Sequence, residues 1–281
     1  MNFLLINNFS NFQLCQKKLV LFFIIIILIL TLNNSSVNAA KKETSLFKNN
    51  YSNSRLVPIY KVNRDDNKIA LTVDGAWGSN KTEDLLNLFS KENIPVSFFF
   101  AGIWLEDNPQ LVKKILKAGH EIYNHSYSHP HFNNLNKNEI LSELRKTEKI
   151  ISKFYGKKSK KKYFRAPYGE YNNLLVKTAR EEGYQLIQWS LDSHDWMDPG
   201  KEYILSRIKN NISSGDILLF HNNSENIVEI LSELISKLKK NYQFVKIENL
   251  IYNNNYQINS LTGIQYKIKD DDNGNKSRKS E

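Results

Sequence analysis

The sequence predicts an α/β fold in which parallel strands alternate with helical crossovers. Short apolar runs alternate with helical patterns about seven times between residues 67 and 250, without a shift in composition that would mark a domain boundary. The apolar runs are continuous, as in strands that are buried on both faces. Two closures fit this pattern, a barrel and an open doubly wound sheet. The missing G-x-G-x-x-G after the first strand disfavours a dinucleotide-binding sheet.

Each element follows from its local pattern. The seven predicted strands are the apolar runs at residues 69–73, 95–100, 121–126, 163–166, 184–191, 216–220 and 242–247. Apolar residues that recur every three or four positions predict helices at residues 81–92, 108–118, 136–155, 172–182, 201–212 and 225–240. Glycines follow several of these helices, as is common where a helix ends.

The first 39 residues differ from the rest of the chain. They contain no acidic residue, and Lys17 and Lys18 precede an apolar run from residue 19 to residue 32 that only Thr31 interrupts. Small residues follow, with a candidate cleavage site after Ala39, which is typical of a secretory signal peptide. The run is shorter than the roughly 20 residues of a membrane span. The alternative is an uncleaved N-terminal anchor.

These boundaries predict four regions. Residues 1–39 are the signal peptide or anchor, residues 40–66 a linker, residues 67–250 one domain, and residues 251–281 a polar tail that we expect to be disordered. We expect a monomer that is secreted or held on the outer face of the cytoplasmic membrane, in the cell envelope. The N-terminal segment would be its only contact with the membrane.

Composition limits the chemistry. The single cysteine, Cys15, lies in the leader, so the exported part has no disulfide, and any metal site there must use histidine and carboxylate ligands. The net charge of +10 favours anionic surroundings, or else reflects an ordinary solvated surface. No interleaving of arginine with aromatic residues suggests base stacking, so we expect no nucleic-acid partner.

The chain is organised around His125 and His129, which are four residues apart. Two neutral imidazoles at that distance can bind one divalent cation. Serines at 126 and 128 and Pro130 speak against a helix, so we expect the end of a strand followed by a tight loop. The H-E-x-x-H pattern of zinc proteases is absent. The alternative is a pair of ordinary polar loop histidines.

Polar residues also follow four other predicted strands. The carboxyl ends of the strands of a β/α barrel face one common mouth, where active sites are built. The residues that would meet there, besides the two histidines, are Asp74, Arg165, Pro167, Tyr168, Asp192, Asp195, Trp196 and His221. Each has a structural alternative: Asp74 could begin an Asx turn, and Arg165 could pair with Asp192 on a surface.

The order of these motifs resembles the polysaccharide deacetylase family, which is carbohydrate esterase family 4 or the chitooligosaccharide deacetylase homology domain. The motifs are Thr72-Val-Asp74, His125-Ser-Tyr-Ser-His129, Arg165-Ala-Pro-Tyr168, Asp192-Ser-His-Asp-Trp196 and Leu219-Phe-His221. The resemblance covers about residues 66–250. The segment Ala76-Trp-Gly78 is similar to the sporulation-type members.

The resemblance implies a distorted (β/α)7 barrel in a single domain and a divalent metal, zinc first and cobalt or nickel as alternatives. It implies a hydrolase that removes N-acetyl groups from cell-wall glycan, at N-acetylglucosamine or N-acetylmuramic acid of peptidoglycan, with a role in sporulation. It gives His125 and His129 as metal ligands, with Asp74 as a further candidate ligand.

Catalytic roles follow from the same resemblance. Asp74 is expected to act as the general base and His221 as the general acid. Arg165 and Asp192 would support them, with Asp192 pairing with Arg165 or orienting His221. Tyr168 and Trp196 would bind the sugar substrate.

One position departs from the family pattern. The family's first motif usually has two adjacent aspartates, a base and then a metal ligand, but Gly75 follows Asp74 here. The two histidines and water could hold the metal, Asp74 could turn to it while another group serves as base, or catalysis could be weak or lost. The first case predicts that Gly75→Asp raises metal affinity. The competing function is a non-catalytic glycan-binding protein; a phosphoesterase would need more carboxylate ligands.

Overall fold

The computed structural model describes residues 55–155 and 161–268. The strands are β1 (Lys61–Val62), β2 (Lys68–Gly75), β3 (Ser97–Phe100), β4 (Glu121–Asn124), β5 (Lys162–Phe164), β6 (Tyr184–Leu186), β7 (Leu191–Asp192), β8 (Ile217–His221), β9 (Gln243–Phe244), β10 (Tyr256–Ile258) and β11 (Ile264–Lys267). The helices are α1 (Thr82–Glu92), α2 (Gly102–Asp107), α3 (Pro109–Lys117), α4 (Lys137–Tyr155), α5 (Asn173–Glu181), α6 (Lys201–Lys209), α7 (Ile227–Leu238) and α8 (Ile247–Leu250). Single 3₁₀ turns lie at Phe132–Asn134, Pro167–Gly169 and Asp195–Met197.

The main sheet is parallel and curls round on itself. Its hydrogen-bonded order is β6-β5-β4-β3-β2-β8-β7, and β9 pairs with β2. The two ends of that order, β6 and β7, are consecutive parts of one chain segment, residues 184–192. The predicted α/β class with a curled (β/α)7 sheet in a single domain is therefore confirmed.

Apolar side chains cover both faces of the strands. Phe98 and Phe100 belong to the core cluster that packs against the helices, whereas Phe99 belongs to the cluster with Tyr123 and Ile217. Successive residues of a strand point to opposite faces, so a continuous apolar run is what a strand buried on both sides requires.

The folded unit extends beyond the predicted domain at both ends. Strand β1 pairs in parallel with β11, which pairs antiparallel with β10, so residues 55–66 and 251–268 differ from the predicted linker and disordered tail. Val62 and Gln265 are fully buried there. These strands are two to four residues long, too short for a periodic signal. The predicted signal peptide or anchor, residues 40–54 of the linker and residues 269–281 of the tail lie outside the described residues.

Two further elements differ from the sequence-based expectations. The predicted strand at 184–191 is split, because the backbone of Ile59 pairs with the Leu186–Gln188 segment in its middle. The short helix α2 was not predicted, since six residues carry little periodicity. Within the described ranges, no helix combines the length and apolar character that crossing a membrane requires.

Candidate active site

Asp74 and Arg165 form a buried ion pair at the mouth of the sheet. Arg165 donates from Nη1 to Asp74 Oδ1 at 2.6 Å and to Thr72 Oγ1 at 2.8 Å. Its remaining donors reach the carbonyls of Ile187 and Gln188, and its side chain is fully buried. Burial raises the pKa of the Asp74 carboxyl, while the Arg165 charge opposes that rise. A satisfied arginine thus fixes a carboxylate at the end of β2.

His125 is held as a neutral imidazole with one nitrogen unused. Its Nδ1 lies 2.9 Å from the carbonyl oxygen of Arg165, and because a carbonyl only accepts, Nδ1 carries the proton. Burial lowers the pKa of His125 to about 3. The lone pair is therefore on Nε2, which lies 3.7 Å from Asp74 Oδ2 in a contact that is not an ion pair. A neutral Nε2 oriented by a backbone carbonyl is the usual state of a metal-binding histidine.

His129 lies beside His125, with ring centroids 5.0 Å apart. Burial, and then the neighbouring His125, lower the pKa of His129 to about 3. Its Nδ1 is buried without a hydrogen-bond partner. An orphaned nitrogen beside a free imidazole lone pair fits two positions of a divalent-metal site.

The loop between the two histidines is anchored from two sides. The Asn124 side chain accepts from Ser126 N, and Ser126 Oγ accepts from His129 N. Both Ser126 and His129 have positive φ angles. Glu143 on α4 accepts from the backbone N–H groups of Tyr127 and Ser128, each at 2.8 Å. The predicted strand end followed by a tight loop is what the structure shows.

His221 is oriented by Asp195 and not by Asp192. Asp195 Oδ1 lies 2.7 Å from His221 Nδ1, and Asp195 Oδ2 accepts from His221 N at 2.8 Å. Burial lowers the pKa of His221, but the bond to Asp195 and the nearby carboxylates outweigh it, so the pKa lies above its usual value. The Asp192 carboxylate instead accepts from His194 N. The two roles expected for Asp192, pairing with Arg165 and orienting His221, are thus filled by Asp74 and Asp195.

Exposed aromatic side chains surround this mouth. Trp77 and Tyr168 each meet the His129 ring edge-on, at centroid distances of 4.8 and 4.6 Å. Tyr168 also stacks on His131. Trp196, which follows Asp195 in the 3₁₀ turn, is 63% exposed. Such flat apolar faces are suited to contact with sugar rings.

The third ligand position of a metal site is missing. Among the described residues, no group of three histidine, cysteine or acidic side chains could hold a metal ion. Gly75 has no side chain, and the nearest atoms on the side where one would project belong to Phe100 and Asn222. The residues present therefore supply two neutral nitrogens, with Asp74 already bound by Arg165.

Several contributors to this site were not assigned a role from the sequence. Thr72 and Asp195 lie inside the motifs, but the hydrogen bonds that give them roles depend on the conformation of other segments. Trp77 follows the first motif, and its position beside that motif could have marked it as part of the site. No sequence feature marked Glu143 or Asn222 as part of the site. Glu143 lies on a helix, and Asn222 is the residue after His221, outside the motif.

The sequence is similar to known polysaccharide deacetylases. The family model for polysaccharide deacetylases matches residues 61–187. The chain is 33% identical over 198 residues to a peptidoglycan-N-acetylglucosamine deacetylase of Bacillus cereus, covering 68% of this chain and 92% of that one. It is 31% identical to the peptidoglycan-N-acetylmuramic acid deacetylase PdaA of Bacillus subtilis, over 72% of this chain and 78% of PdaA. It is 34% identical to the uncharacterized protein YlxY of Bacillus subtilis, over 69% of this chain and 60% of YlxY.

Solved structures of the same family are similar to this chain in fold. PdaA superposes with a TM-score of 0.64 at 30% identity, covering 69% of this chain and 84% of that structure. The wild-type BA3943 protein of Bacillus anthracis, described as a carbohydrate esterase family 4 pseudoenzyme, superposes at 0.65 with 31% identity over 69% and 68% of the two chains. A BA3943 mutant described as having restored enzymatic activity superposes at 0.65 with 33% identity, over 69% of this chain and 71% of that structure.

Proposed function

Because this chain belongs to the polysaccharide deacetylase family, we propose that it is a metal-dependent hydrolase that removes N-acetyl groups from peptidoglycan. The observation that carries the proposal is the pairing of a candidate base and a candidate acid across two adjacent strands. Asp74 and His221 are register partners in the β2–β8 ladder, and each is fixed by a dedicated charged partner. The names of the relatives support N-acetylglucosamine or N-acetylmuramic acid as the sugar.

Asp74 would accept the proton of the attacking water. Hydrolysis of an acetamide needs a base because water is a poor nucleophile, and a base works best with a pKa that approaches the working pH. Burial moves the Asp74 pKa upwards, and Arg165 keeps the anion accessible by opposing that shift. The Oδ1 atom is engaged by Arg165, which leaves Oδ2 for the water.

His221 would protonate the departing amine. An amine is a poor leaving group until it carries a proton, so the reaction needs an acid on the other side of the substrate. Asp195 binds Nδ1 of His221 and therefore leaves Nε2 to deliver the proton. The raised pKa of His221 increases the protonated fraction near neutral pH.

His125 and His129 would hold the divalent ion, with zinc as the first candidate and cobalt or nickel as alternatives. Such an ion supplies positive charge that lowers the pKa of water and stabilises a developing oxyanion. Tyr168 and Trp196 would contact the glycan, and Trp77 adds a third exposed face next to His129.

The same proposal places the protein in the cell envelope. Its support is the signal-like leader in the sequence and the peptidoglycan-acting relatives. A role in sporulation rests on the Ala76-Trp-Gly78 segment alone.

Acetate release tests the proposal directly. The purified chain, supplied with zinc, cobalt or nickel in turn, is incubated with peptidoglycan fragments, and the fragments are analysed by mass spectrometry. We expect wild type to lower the mass of each modified sugar by about 42 Da, because hydrogen replaces one acetyl group. We expect no loss of mass with Asp74→Asn, because an amide cannot accept the proton. Unmodified fragments with every metal would contradict the proposal.

A second function is favoured by one specific observation, the glycine at position 75. The similarity to a pseudoenzyme structure adds to it. Under this alternative the protein binds cell-wall glycan without turnover. Glycan fragments would then bind to wild type and Asp74→Asn alike and shift the tryptophan fluorescence of both, while no acetate appears.

A further inference from the structure

We propose that the Phe100 ring, and not the glycine at position 75 alone, closes the third ligand position, so that a carboxylate fits at residue 75 only when Phe100 is shortened, with Asn222 adding a smaller electrostatic cost. The inference concerns the same site as the proposed function and refines its metal requirement. It corrects the simple expectation that Gly75→Asp by itself supplies the missing ligand.

The first step is steric. Gly75 and Phe100 are register partners in the parallel β2–β3 ladder. A β-carbon at residue 75 would lie 2.4 Å from Phe100 Cε1 and 2.7 Å from Phe100 Cδ1. Non-bonded carbon atoms attract at about 3.5–4.0 Å and repel strongly at such distances. Any side chain at residue 75 therefore has to displace the ring.

The ring has little freedom to move. Phe100 is fully buried and stacks on Trp104 with a centroid distance of 3.8 Å and an interplanar angle of 7°. A second aromatic neighbour is Phe98, whose ring centroid lies 5.2 Å from that of Phe100. Trp104 is itself fixed, because its Nε1 donates to the Gly78 carbonyl at 2.6 Å. Close-packed interiors transmit such a displacement instead of absorbing it.

The second step is electrostatic. Asn222 is fully buried, and its Nδ2 donates to the Gly78 carbonyl at 2.7 Å. Its Oδ1 is buried without a partner and lies 2.7 Å from where a β-carbon at residue 75 would be. A carboxylate placed there would face another acceptor. Turning the amide around would relieve this repulsion only by breaking the bond to Gly78.

The consequence is a site of two imidazoles whose third position is blocked by a packed aromatic ring. Weakened metal binding follows, since structural and catalytic zinc sites use three or four protein ligands. We expect wild type to lose its metal on dialysis against buffer without chelator. The side chains that fill the third ligand position, and not the histidines, would determine the affinity for the metal.

A metal-free stability cycle tests the steric step. Gly75→Ala adds only the β-carbon, and Phe100→Val removes the ring that it would strike. We expect Gly75→Ala to lower the Tm by about 5 °C in wild type and by clearly less in the Phe100→Val background. Phe89→Val removes a fully buried ring of the same core cluster whose ring contacts are with Phe98 and His120, so it is the matched control and should leave the cost of Gly75→Ala unchanged. Equal costs in all three backgrounds would overturn the proposal.

Metal titration tests the ligand position. Calorimetry with zinc would compare wild type, Gly75→Asp, and Gly75→Asp combined with Phe100→Val. We expect the combined variant to bind zinc at least about tenfold more tightly than Gly75→Asp alone. Gly75→Asn with Phe100→Val has the same shape without the charge and should show no gain. If Phe100→Val unfolds the chain, Phe100→Leu takes the place of Phe100→Val, because leucine keeps more of the side-chain volume.

The outcomes separate this proposal from the proposed function. A stable Gly75→Asp variant that binds zinc as tightly as the combined variant would overturn the steric block. Wild type that releases no acetate would contradict the proposed function, yet stability and zinc affinity would still report on Phe100. No readout in this experiment depends on turnover.

Discussion

Asp195 and Asp192 are three residues apart, yet only one of them reaches the candidate acid. Asp195 binds both the backbone N–H and the ring of His221, so it fixes the histidine at two points. From the sequence we expected Asp192 to fill this role, because both carboxylates lie in one motif and their order along the chain does not distinguish them. The choice depends on the left-handed conformation of His194 and the 3₁₀ turn that follows it.

This difference gives a prediction for the pH dependence of acetate release. Asp195→Asn removes the charge that raises the His221 pKa, so the alkaline limb of the rate profile should move to lower pH, and the rate at pH 8 should fall about 10- to 100-fold. Asp192→Asn is the matched control, and we expect a much smaller change. Equal losses in both variants would show that Asp195 has no special part.

A second single-residue prediction concerns Glu121, at the other end of the strands from the site. Glu121 is buried, accepts from the Tyr123 hydroxyl at 2.5 Å, and lies 3.8 Å from Lys246. Burial, with Glu248 contributing, raises the pKa of Glu121 to about 7. The folded state therefore binds the proton more tightly than the unfolded state, whose carboxyl titrates near 4.3.

The sign of the effect follows. Stability contributed by protonated Glu121 is complete below about pH 4 and is lost as the pH rises through 7. His120 has the opposite slope, because burial lowers its pKa to about 4. The difference in unfolding free energy between wild type and Glu121→Gln isolates the Glu121 part, and urea titrations from pH 4 to 8 measure it. We expect that difference to change by up to about 3 kcal/mol in favour of Glu121→Gln as the pH rises; a flat difference would refute the assignment.

At the scale of elements, helix α4 positions the histidine loop through one side chain. Glu143 binds two backbone N–H groups of that loop, and its Oε1 accepts from the Ser128 hydroxyl. Neither histidine touches Glu143 in these contacts, so its influence on metal binding would be through loop geometry.

Removing this anchor should loosen the metal site without unfolding the chain. We expect Glu143→Ala to weaken zinc binding about tenfold, in the range typical of residues that support metal ligands, with little change in the Tm. Glu143→Gln keeps one acceptor oxygen and should retain most of the affinity. Calorimetry and circular dichroism give the two readouts. A large Tm loss with unchanged zinc affinity would mean that Glu143 serves stability alone.

The elements also show what the sequence could and could not predict. Asp74 and His221 each follow an apolar run and Arg165 lies at the end of a short predicted strand, so their shared location could be inferred from strand order alone. The contact between Gly75 and Phe100 could not, because it depends on the register between β2 and β3. The pairing of β1 with β11 could not be predicted for a different reason, because neither strand is long enough to show a periodic pattern of apolar residues.

At the scale of the whole molecule, residues 251–268 belong to the folded unit. The buried Gln265 side chain bonds both the N–H and the carbonyl of Tyr252, and Ile264 and Gln265 pair with Lys61 and Val62. A chain that ends at Ile268 keeps all of these contacts. A chain that ends at Leu250 loses them, together with the buried side chain of Ile251.

Two truncations test this boundary. We expect the chain ending at Ile268 to keep the Tm of the full-length protein. We expect the chain ending at Leu250 to lose at least about 5 °C, since burying one side chain such as Ile251 is worth about 1.5–3 kcal/mol in typical proteins. Calorimetric melting of both chains is the measurement. Equal melting temperatures would place the domain end at residue 250 after all.

Strand β1 forms its ladder with a strand that follows it by about 200 residues. A polypeptide that emerges from a ribosome or a translocation channel with its N-terminus first presents β1 early, but the partner comes only at the end. The N–H groups of Tyr60 and Asn63 donate to the carbonyls of Gly263 and Gln265, so they must stay hydrated until nearly the entire domain has been delivered. Pulse-labelling hydrogen exchange during refolding should find their amides protected late, after those of β2 and β8, whose pairing completes the central sheet.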